Sequence, residues 1–266
     1  KKLLLSAFVI CLAGTSIAQE SPLWMRHCAL SPDGTTIAFT YKGDIYTVPS
    51  TGGRATQITT NPAFDTEPVW SPDSKQIAFA SDRMGSLDVF VVSSEGGAPQ
   101  RLTTHSGSEK PVAYKDNKHI LFTANIAPSA EDAGFPSGQF QQVYEVAVTG
   151  GRPAMFSSMP MECISINKEG VMLYQDKKGY EDYWRKHQVS PIARDIWTYT
   201  PGKKPVYQKQ TTFGGEDREP VWSPDGKSFY YLSEEKGSFN IFQRTPGTTT
   251  SQQITFHTKH PVRFLS

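Results

Sequence analysis

Short hydrophobic runs, each about the length of a β-strand, recur along most of the chain. Polar turns rich in glycine, proline and aspartate separate them, and the runs fall into groups of four. In the second group they lie at residues 69–70, 77–79, 88–92 and 101–103. Runs of this length that are rich in β-branched and aromatic residues predict β-strands.

The groups are internal repeats of one another. A Ser-Pro-Asp turn begins at Ser31, Ser71 and Ser223, and the first two copies lie about 40 residues apart. Four antiparallel strands in a repeat of this length indicate a β-propeller blade. We therefore predict an all-β propeller of four-stranded antiparallel blades, with five blades and the start of a sixth, an incomplete six-bladed ring. The predicted domain covers residues 19–266, with blades at about 24–60, 66–105, 109–158, 162–213 and 218–257 and a sixth beginning at residue 260.

The Ser-Pro-Asp-Gly turn has a clear physical basis. Proline fixes φ at the first central position of a type I turn, and the aspartate side chain accepts a bond from nearby backbone N–H groups. Glycine then takes the positive φ at the turn exit. We therefore expect each copy, such as the one that ends at Gly34, to reverse the first strand of a blade onto the second.

Large aromatic residues recur at matching places in the repeats. A single blade cannot cover both faces of its own sheet, so these rings need neighbouring blades. We predict that they form blade-to-blade core, each contributing about 2 to 3 kcal/mol through burial. The rings concerned are Trp70, Phe79, Phe90, Trp222, Tyr230 and Phe242.

Two repeats carry insertions, at about residues 125–140 and 177–194. Long loops on a regular scaffold are where binding surfaces commonly lie. The second insertion contains Trp184, Arg185 and His187. A polar and aromatic loop is costly inside a stack of blades, so we predict that these three residues contact a substrate or another domain. The alternative is that Trp184 fills a gap between blades.

The first residues predict an export signal. Lys1 and Lys2 precede an apolar run at residues 3–12, and small residues at Ser16 and Ala18 have the spacing of a cleavage site. We expect a signal peptide at residues 1–18 and a periplasmic or secreted protein. The apolar run is short for a membrane span.

Composition excludes some functions. The 27 basic and 26 acidic residues leave a net charge of +1, which offers no basic stripe for nucleic acid. Without the predicted signal, Cys28 and Cys163 remain. Pairing is conceivable in an exported protein, but the two cysteines should lie far apart in a ring. We therefore favour two free, partly buried thiols.

Motifs for catalysis or cofactor binding are missing from the sequence. The segment at residues 134–138 has its serine misplaced for a G-x-S-x-G nucleophile turn. The six histidines form neither H-x-H nor H-E-x-x-H, and no glycine-rich phosphate loop follows a strand. We predict no catalytic residue, metal site or cofactor in this segment.

Several segments together resemble one family, the N-terminal propeller of bacterial tricorn-protease homologues. The opening at residues 20–26, the turn at 31–34 and the segment 41–46 are similar to the first blade of that family. Two more specific segments, at residues 184–187 (Trp-Arg-Lys-His) and 194–197 (Arg-Asp-Ile-Trp), are similar to its fourth blade.

This resemblance covers essentially residues 20–266 and has functional implications. It implies that the full protein is an exported serine peptidase of the tail-specific-protease type. Its six-bladed propeller would be followed by a second propeller, a PDZ domain and catalytic domains. The propeller would gate or dock peptide substrates, and its partners would be peptides, proteins and the downstream domains. The family's catalytic residues lie beyond this segment, so none is carried over. Self-association is left open.

Two other readings remain. One is a TolB-like periplasmic propeller that binds proteins, although TolB-type proteins carry an α/β domain ahead of the propeller. The other is the propeller of a dipeptidyl-peptidase-type enzyme. We expect this chain to be a fragment of a longer protein, and the sequence encoded downstream would separate the three readings.

Overall fold

The computed structural model describes residues 24–126, 141–179 and 189–266. Within these ranges, twenty β-strands form five four-stranded sheets, and no residue is helical. Accordingly, nothing in the described ranges forms a helix long and apolar enough to cross a membrane. The predicted signal peptide at residues 1–18 lies outside them.

Each sheet is one antiparallel blade whose strands follow one another in the chain. The first blade comprises β1 (Arg26–Leu30), β2 (Thr36–Tyr41), β3 (Asp44–Pro49) and β4 (Thr56–Gln57). The second comprises β5 (Asp65–Trp70), β6 (Gln76–Ser81), β7 (Asp88–Ser93) and β8 (Gln100–Arg101). The third comprises β9 (Lys110–Asp116), β10 (His119–Ala124), β11 (Gln142–Ala147) and β12 (Ala154–Ser157). The fourth comprises β13 (Met161–Ile166), β14 (Met172–Asp176), β15 (Ile196–Thr200) and β16 (Val206–Lys209). The fifth comprises β17 (Asp217–Trp222), β18 (Phe229–Ser233), β19 (Asn240–Arg244) and β20 (Ser251–Gln253). The predicted fold class is confirmed.

The repeated turns have the predicted hydrogen bonds. In the first blade, the Ser31 hydroxyl donates to Asp33 Oδ1 at 2.6 Å, and the Thr35 N–H donates to the same oxygen at 2.9 Å. Gly34 has a φ of +74°. Ser74 occupies the equivalent position in the second blade and adopts a φ of +59°, so a non-glycine residue tolerates this turn.

Successive turns are also joined around the ring. The backbone N–H of Asp33 donates to Ser74 Oγ at 3.3 Å, and that of Asp73 donates to Asn117 Oδ1 at 3.1 Å. The turns therefore help to set the angle between neighbouring blades, in addition to reversing the chain within each blade.

Aromatic pairs form the core between blades. Phe79 and Phe90 stack with ring centroids 5.9 Å apart and pack against Ala38 and Ile45 of the first blade. Trp70 is also buried in this interface, and its Nε1 donates to the Ala29 carbonyl at 2.9 Å. These contacts confirm the predicted role of all three rings.

The fifth blade repeats this arrangement with one correction. The centroids of Tyr231 and Phe242 lie 5.9 Å apart, and both rings are buried against Leu173 of the fourth blade. Trp222 packs partly buried on the same cluster. Tyr230, which we had predicted for this core, is only half-buried, and the ring in the interface is that of its neighbour Tyr231. Side chains alternate between faces along a strand, so a shift of one residue exchanges the buried ring.

The face of the fifth blade that points away from the fourth blade is more exposed to solvent than the matching face of the first blade. Ile254 donates its N–H to the Ile241 carbonyl at 2.8 Å, as Ile58 does to Ile45 in the first blade. Ile58 is only 5% exposed beneath the second blade, whereas Ile254 is 39% exposed. No following sheet packs on the fifth blade within the described ranges.

The segment after the fifth blade leaves that blade in the same way as the connections between earlier blades. The Val262 N–H donates to the Phe239 carbonyl at 2.9 Å. The equivalent hydrogen bond stands just before the third blade, where the Glu109 N–H donates to the Leu87 carbonyl at 2.7 Å. Residues 254–266 form no strand. The described residues thus form five blades, and no strand of the sixth blade that we predict from residue 260 is present among them.

Candidate functional site

A channel runs along the axis around which the blades are arranged. Its wall is formed by the first strand of every blade, β1, β5, β9, β13 and β17, together with residues 264–266. One section encloses about 470 Å³, and an adjoining section toward the Ser-Pro-Asp turns encloses about 410 Å³. The two sections share wall residues, among them Leu30, Val69, Val112 and Ile164, so they form one continuous and largely apolar passage.

A β-bulge with unusual backbone geometry recurs on this wall. The bulge residues have a left-handed φ between +49° and +55°, although none is glycine, and each lines the channel. They are His27, Glu67, Cys163 and Glu219. Phe264, in the segment after the last strand, also lines the channel and has a φ of +62°. Backbone strain of this kind persists only where the surrounding structure imposes it, and bulges commonly re-aim side chains next to functional sites. The bulges direct four different side chains toward one passage.

The charged groups on the wall are engaged with neighbouring residues. Lys110 Nζ lies 2.6 Å from Glu67 Oε1. Glu219 Oε2 accepts a hydrogen bond from the Leu265 N–H at 2.7 Å, which holds the last segment against the fifth blade. Burial lowers the pKa of His27 by more than the Glu67 carboxylate raises it, and Lys110 acts in the same direction as burial. His27 is therefore uncharged at neutral pH.

Both remaining cysteines lie on the channel wall. Cys28 and Cys163 are free, as predicted, and both line the 470 Å³ section. Our expectation of partly buried thiols was wrong, because both are exposed. Desolvation nevertheless raises the pKa of each thiol, since the ring surrounds the solvent that they face. Thiols with raised pKa values are weak nucleophiles at neutral pH, so these cysteines are not activated for catalysis, although as free and exposed thiols they can be labelled by small reagents.

A buried network of charges joins the fourth and fifth blades beside the channel. Within the fourth blade Arg194 Nε lies 3.2 Å from Glu162 Oε2. The same guanidinium reaches the fifth blade, where its Nη1 lies 3.5 Å from Glu216 Oε1 and Arg218 Nε lies 2.8 Å from Glu216 Oε2. Burial acts to raise the pKa of Glu162, but Arg194 and Lys177 outweigh it and lower the pKa overall. Arg194 also belongs to the segment that most specifically resembles the tricorn family. Its role in the structure is to hold two blades together.

The predicted contact residues of the fourth-blade insertion, Trp184, Arg185 and His187, lie outside the described residues, so their role stays a prediction. Sequence reasoning missed the acidic wall residues Glu67 and Glu219. A signal for them existed, because Glu-Pro-Val-Trp occurs twice in the chain, at residues 67–70 and 219–222. The described residues contain no cluster of three or more His, Cys, Asp or Glu side chains that could hold a metal.

Curated relatives include peptidases and a protein of undefined function. The chain is 39% identical over 213 residues to tricorn protease homolog 1 of Streptomyces coelicolor, covering 79% of this chain and 19% of that protein. It is 34% identical over 218 residues to an uncharacterized protein of Agrobacterium fabrum, covering 76% of this chain and 68% of that one. The chain thus spans about a fifth of the Streptomyces relative.

Solved structures share the fold. The crystal structure of the tricorn protease matches with a TM-score of 0.72 at 17% identity, covering 91% of this chain and 23% of that one. A TolB-like protein from Agrobacterium tumefaciens matches with a TM-score of 0.68 at 14% identity, covering 88% of this chain and 81% of that one. At these identities the matches support the propeller fold alone.

The family model for the tricorn protease N-terminal β-propeller domain matches residues 22–266, which is nearly all of the chain. Blades, channel and sequence similarity agree with that match. The chain therefore belongs to the family of tricorn protease N-terminal β-propeller domains.

Proposed function

We propose that this chain is the propeller domain of an exported tricorn-like serine peptidase, in which it docks peptide substrates and gates their passage. The observation that carries the proposal is the continuous channel, whose wall takes one strand from every blade. An apolar passage with a few polar groups suits an extended peptide better than a folded protein. The catalytic groups would be supplied by other parts of the full-length protein.

A second candidate is a TolB-like propeller that binds a protein and belongs to no enzyme. The observation behind it is one of length: this chain covers 68% of the uncharacterized Agrobacterium fabrum relative but only 19% of the Streptomyces peptidase relative, so the former is a much shorter protein. The sequence encoded downstream separates the candidates. A PDZ domain with a tail-specific-protease domain supports the peptidase, and a stop codon soon after residue 266 supports the binding protein.

Passage through the channel is tested by narrowing it. Val112 lines both sections of the channel, so Val112→Trp should obstruct them. In the full-length peptidase we expect hydrolysis of a long peptide to fall about tenfold or more in kcat/KM, equivalent to roughly 1.4 kcal/mol. Hydrolysis of a dipeptide reporter should change little if small substrates reach the active site by another route.

The matched control is Val206→Trp, which makes the same substitution at a 56% exposed position on the outer strand β16. It should leave both activities unchanged. Equal rates for Val112→Trp and Val206→Trp on the long peptide would contradict passage through this channel.

Export is tested at the amino terminus of the mature protein. If the signal peptide is removed after Ala18, N-terminal sequencing of protein recovered from the periplasm or medium should begin at Gln19. Recovery of the intact sequence from the cytoplasm would contradict export, but it would leave the channel proposal standing.

A further inference from the structure

The channel opens into a wider cavity at the end where the inner strands begin. This cavity has a volume of about 690 Å³ and lies between the first and second blades. It shares His27 and Glu67 with the wall of the channel, so the two spaces adjoin. We call it the basic mouth, and its lining includes Trp24, Arg26, Lys42, Phe64 and Lys110.

Positive charge predominates in the basic mouth. Of the three cations in its lining, Lys110 is paired with Glu67, the one carboxylate that also lines it. Arg26 and Lys42 are exposed, and neither forms an ion pair with a described residue. The nearby carboxylate of Asp65 is already taken, with both oxygens 2.9 Å from Arg83. Within the described residues, two positive charges therefore remain without a carboxylate partner.

Aromatic rings stand exposed beside these charges. Trp24 is 74% exposed and Phe64 is 50% exposed, although rings of this size are usually covered in a folded domain. The guanidinium carbon of Arg26 lies 5.4 Å from the centre of the Trp24 ring. Exposed aromatic rings that alternate with unpaired cations form a surface suited to a ligand that is both apolar and anionic.

The opposite end of the channel carries charges of both signs, since Lys115 and Lys168 line the section toward the Ser-Pro-Asp turns. There the Ser-Pro-Asp turns place Asp33, Asp73 and Asp225, each with a pKa lowered first of all by the hydroxyl of the serine that begins its turn. These carboxylates are ionised at neutral pH. Acidic turns thus stand beside the lysines at that end, whereas Glu67 is the one carboxylate in the lining of the basic mouth.

We propose that the basic mouth is a peptide-binding subsite that takes acidic segments bearing an aromatic or aliphatic side chain. This inference rests on the proposed docking of peptides at the channel and adds the class of peptide. Carboxylates of the segment pair with Arg26 and Lys42, and its apolar side chain packs against Trp24 and Phe64. Because the mouth adjoins the channel at Glu67, a segment held there is positioned at the entrance.

The test measures binding of three fluorescein-labelled ten-residue peptides to the whole chain by fluorescence anisotropy. One peptide alternates Glu and Phe, one alternates Lys and Phe, and one alternates Glu and Ser. We expect the Glu/Phe peptide to bind about tenfold more tightly than either of the others. Equal or tighter binding of the Lys/Phe peptide would overturn the inference while leaving docking intact. Absence of binding by all three would count against docking itself.

Variants locate the site. Arg26→Glu should weaken binding of the Glu/Phe peptide about tenfold, because an attraction becomes a repulsion. Arg54→Glu is the matched control, since Arg54 is exposed on the outer turn between β3 and β4. Trp24→Ala should weaken binding, whereas Phe256→Ala, at a 75% exposed ring beyond β20, should not. If Arg26→Glu weakened binding no more than Arg54→Glu, or Trp24→Ala no more than Phe256→Ala, the assignment of the peptide-binding subsite to the basic mouth would be overturned.

Discussion

Phe79→Ala should lower the free energy of unfolding by about 3 to 5 kcal/mol, the usual cost of deleting a buried aromatic ring. Phe79 is fully buried between the first two blades and stacks on Phe90. The guanidinium of Arg83 also lies over both rings, 5.5 Å and 4.5 Å from their centres. The substitution therefore removes core contacts and a cation–π contact together. Urea denaturation followed by tryptophan fluorescence measures the change.

Met84→Ala provides the control for this prediction. Met84 lies in the same blade, is 61% exposed and should change the stability by no more than about 0.5 kcal/mol. A similarly small loss for Phe79→Ala would mean that the blades do not pack on each other through this ring. The stacked arrangement of sheets would then be in doubt.

The second large effect concerns Asp217, the first residue of the innermost strand of the fifth blade. Burial raises the pKa of Asp217 to about 7, and the negative charges of Asp195 and Glu235 act in the same direction. The hydroxyls of Ser233 and Thr211 oppose the shift without cancelling it. In the unfolded chain the pKa returns to about 3.8. Asp217 is therefore mostly protonated below pH 7 in the folded state, whereas it ionises near pH 4 in the unfolded state.

The sign of the pH dependence follows from this difference. Between about pH 4 and pH 7 the folded state holds a proton that the unfolded state has lost, so stability falls as the pH rises. The ionisation of Asp217 alone should lower the free energy of unfolding of the wild type by about 2 to 3 kcal/mol between pH 5 and pH 8. Asp217→Asn removes the ionisable group. The free energy of unfolding of the variant minus that of the wild type should therefore be larger at pH 8 than at pH 5 by the same amount of about 2 to 3 kcal/mol.

Urea denaturation at the two pH values measures this difference, and Asp225→Asn is the comparison. Asp225 is exposed in the fifth-blade turn, and the Ser223 hydroxyl lowers its pKa, so Asp225 stays ionised in both the folded and the unfolded state at these two pH values. Asp225→Asn should therefore change the stability by the same amount at pH 5 and at pH 8. If Asp217→Asn gave the same change at both pH values, Asp217 would be ionised in the folded protein throughout this range.

The fold could be predicted from the sequence because its signals are local and repeated. The turn at residues 31–34 combines a proline, an aspartate and a glycine in fixed order, and this combination is visible in the chain, although Ser74 shows that the glycine is favoured rather than required. It was harder to predict from the sequence which of two adjacent rings, Tyr230 or Tyr231, is buried. That choice depends on the register of β18 against β17, which shifts at a bulge between Arg218 and Val221.

The channel wall could not be predicted for a related reason. The left-handed backbone at Glu67 and Cys163 occurs at residue types that do not favour it, so no local signal announces the bulge. Which strand is innermost follows from the packing of blades around an axis, a property of the whole ring. The basic mouth was missed too, because Arg26, Lys42 and Lys110 come from three separate segments.

The most direct test of the central claim uses the native thiols on the channel wall. The chain is labelled with methyl methanethiosulfonate, and mass spectrometry follows the rates at Cys28 and Cys163 with and without a casein digest. Free amino acids of the same composition serve as the control. If peptides occupy the channel, both thiols should be labelled about fivefold more slowly with the digest than with the free amino acids. Unchanged rates at a digest concentration that saturates binding would show that peptides bind elsewhere and would contradict the account.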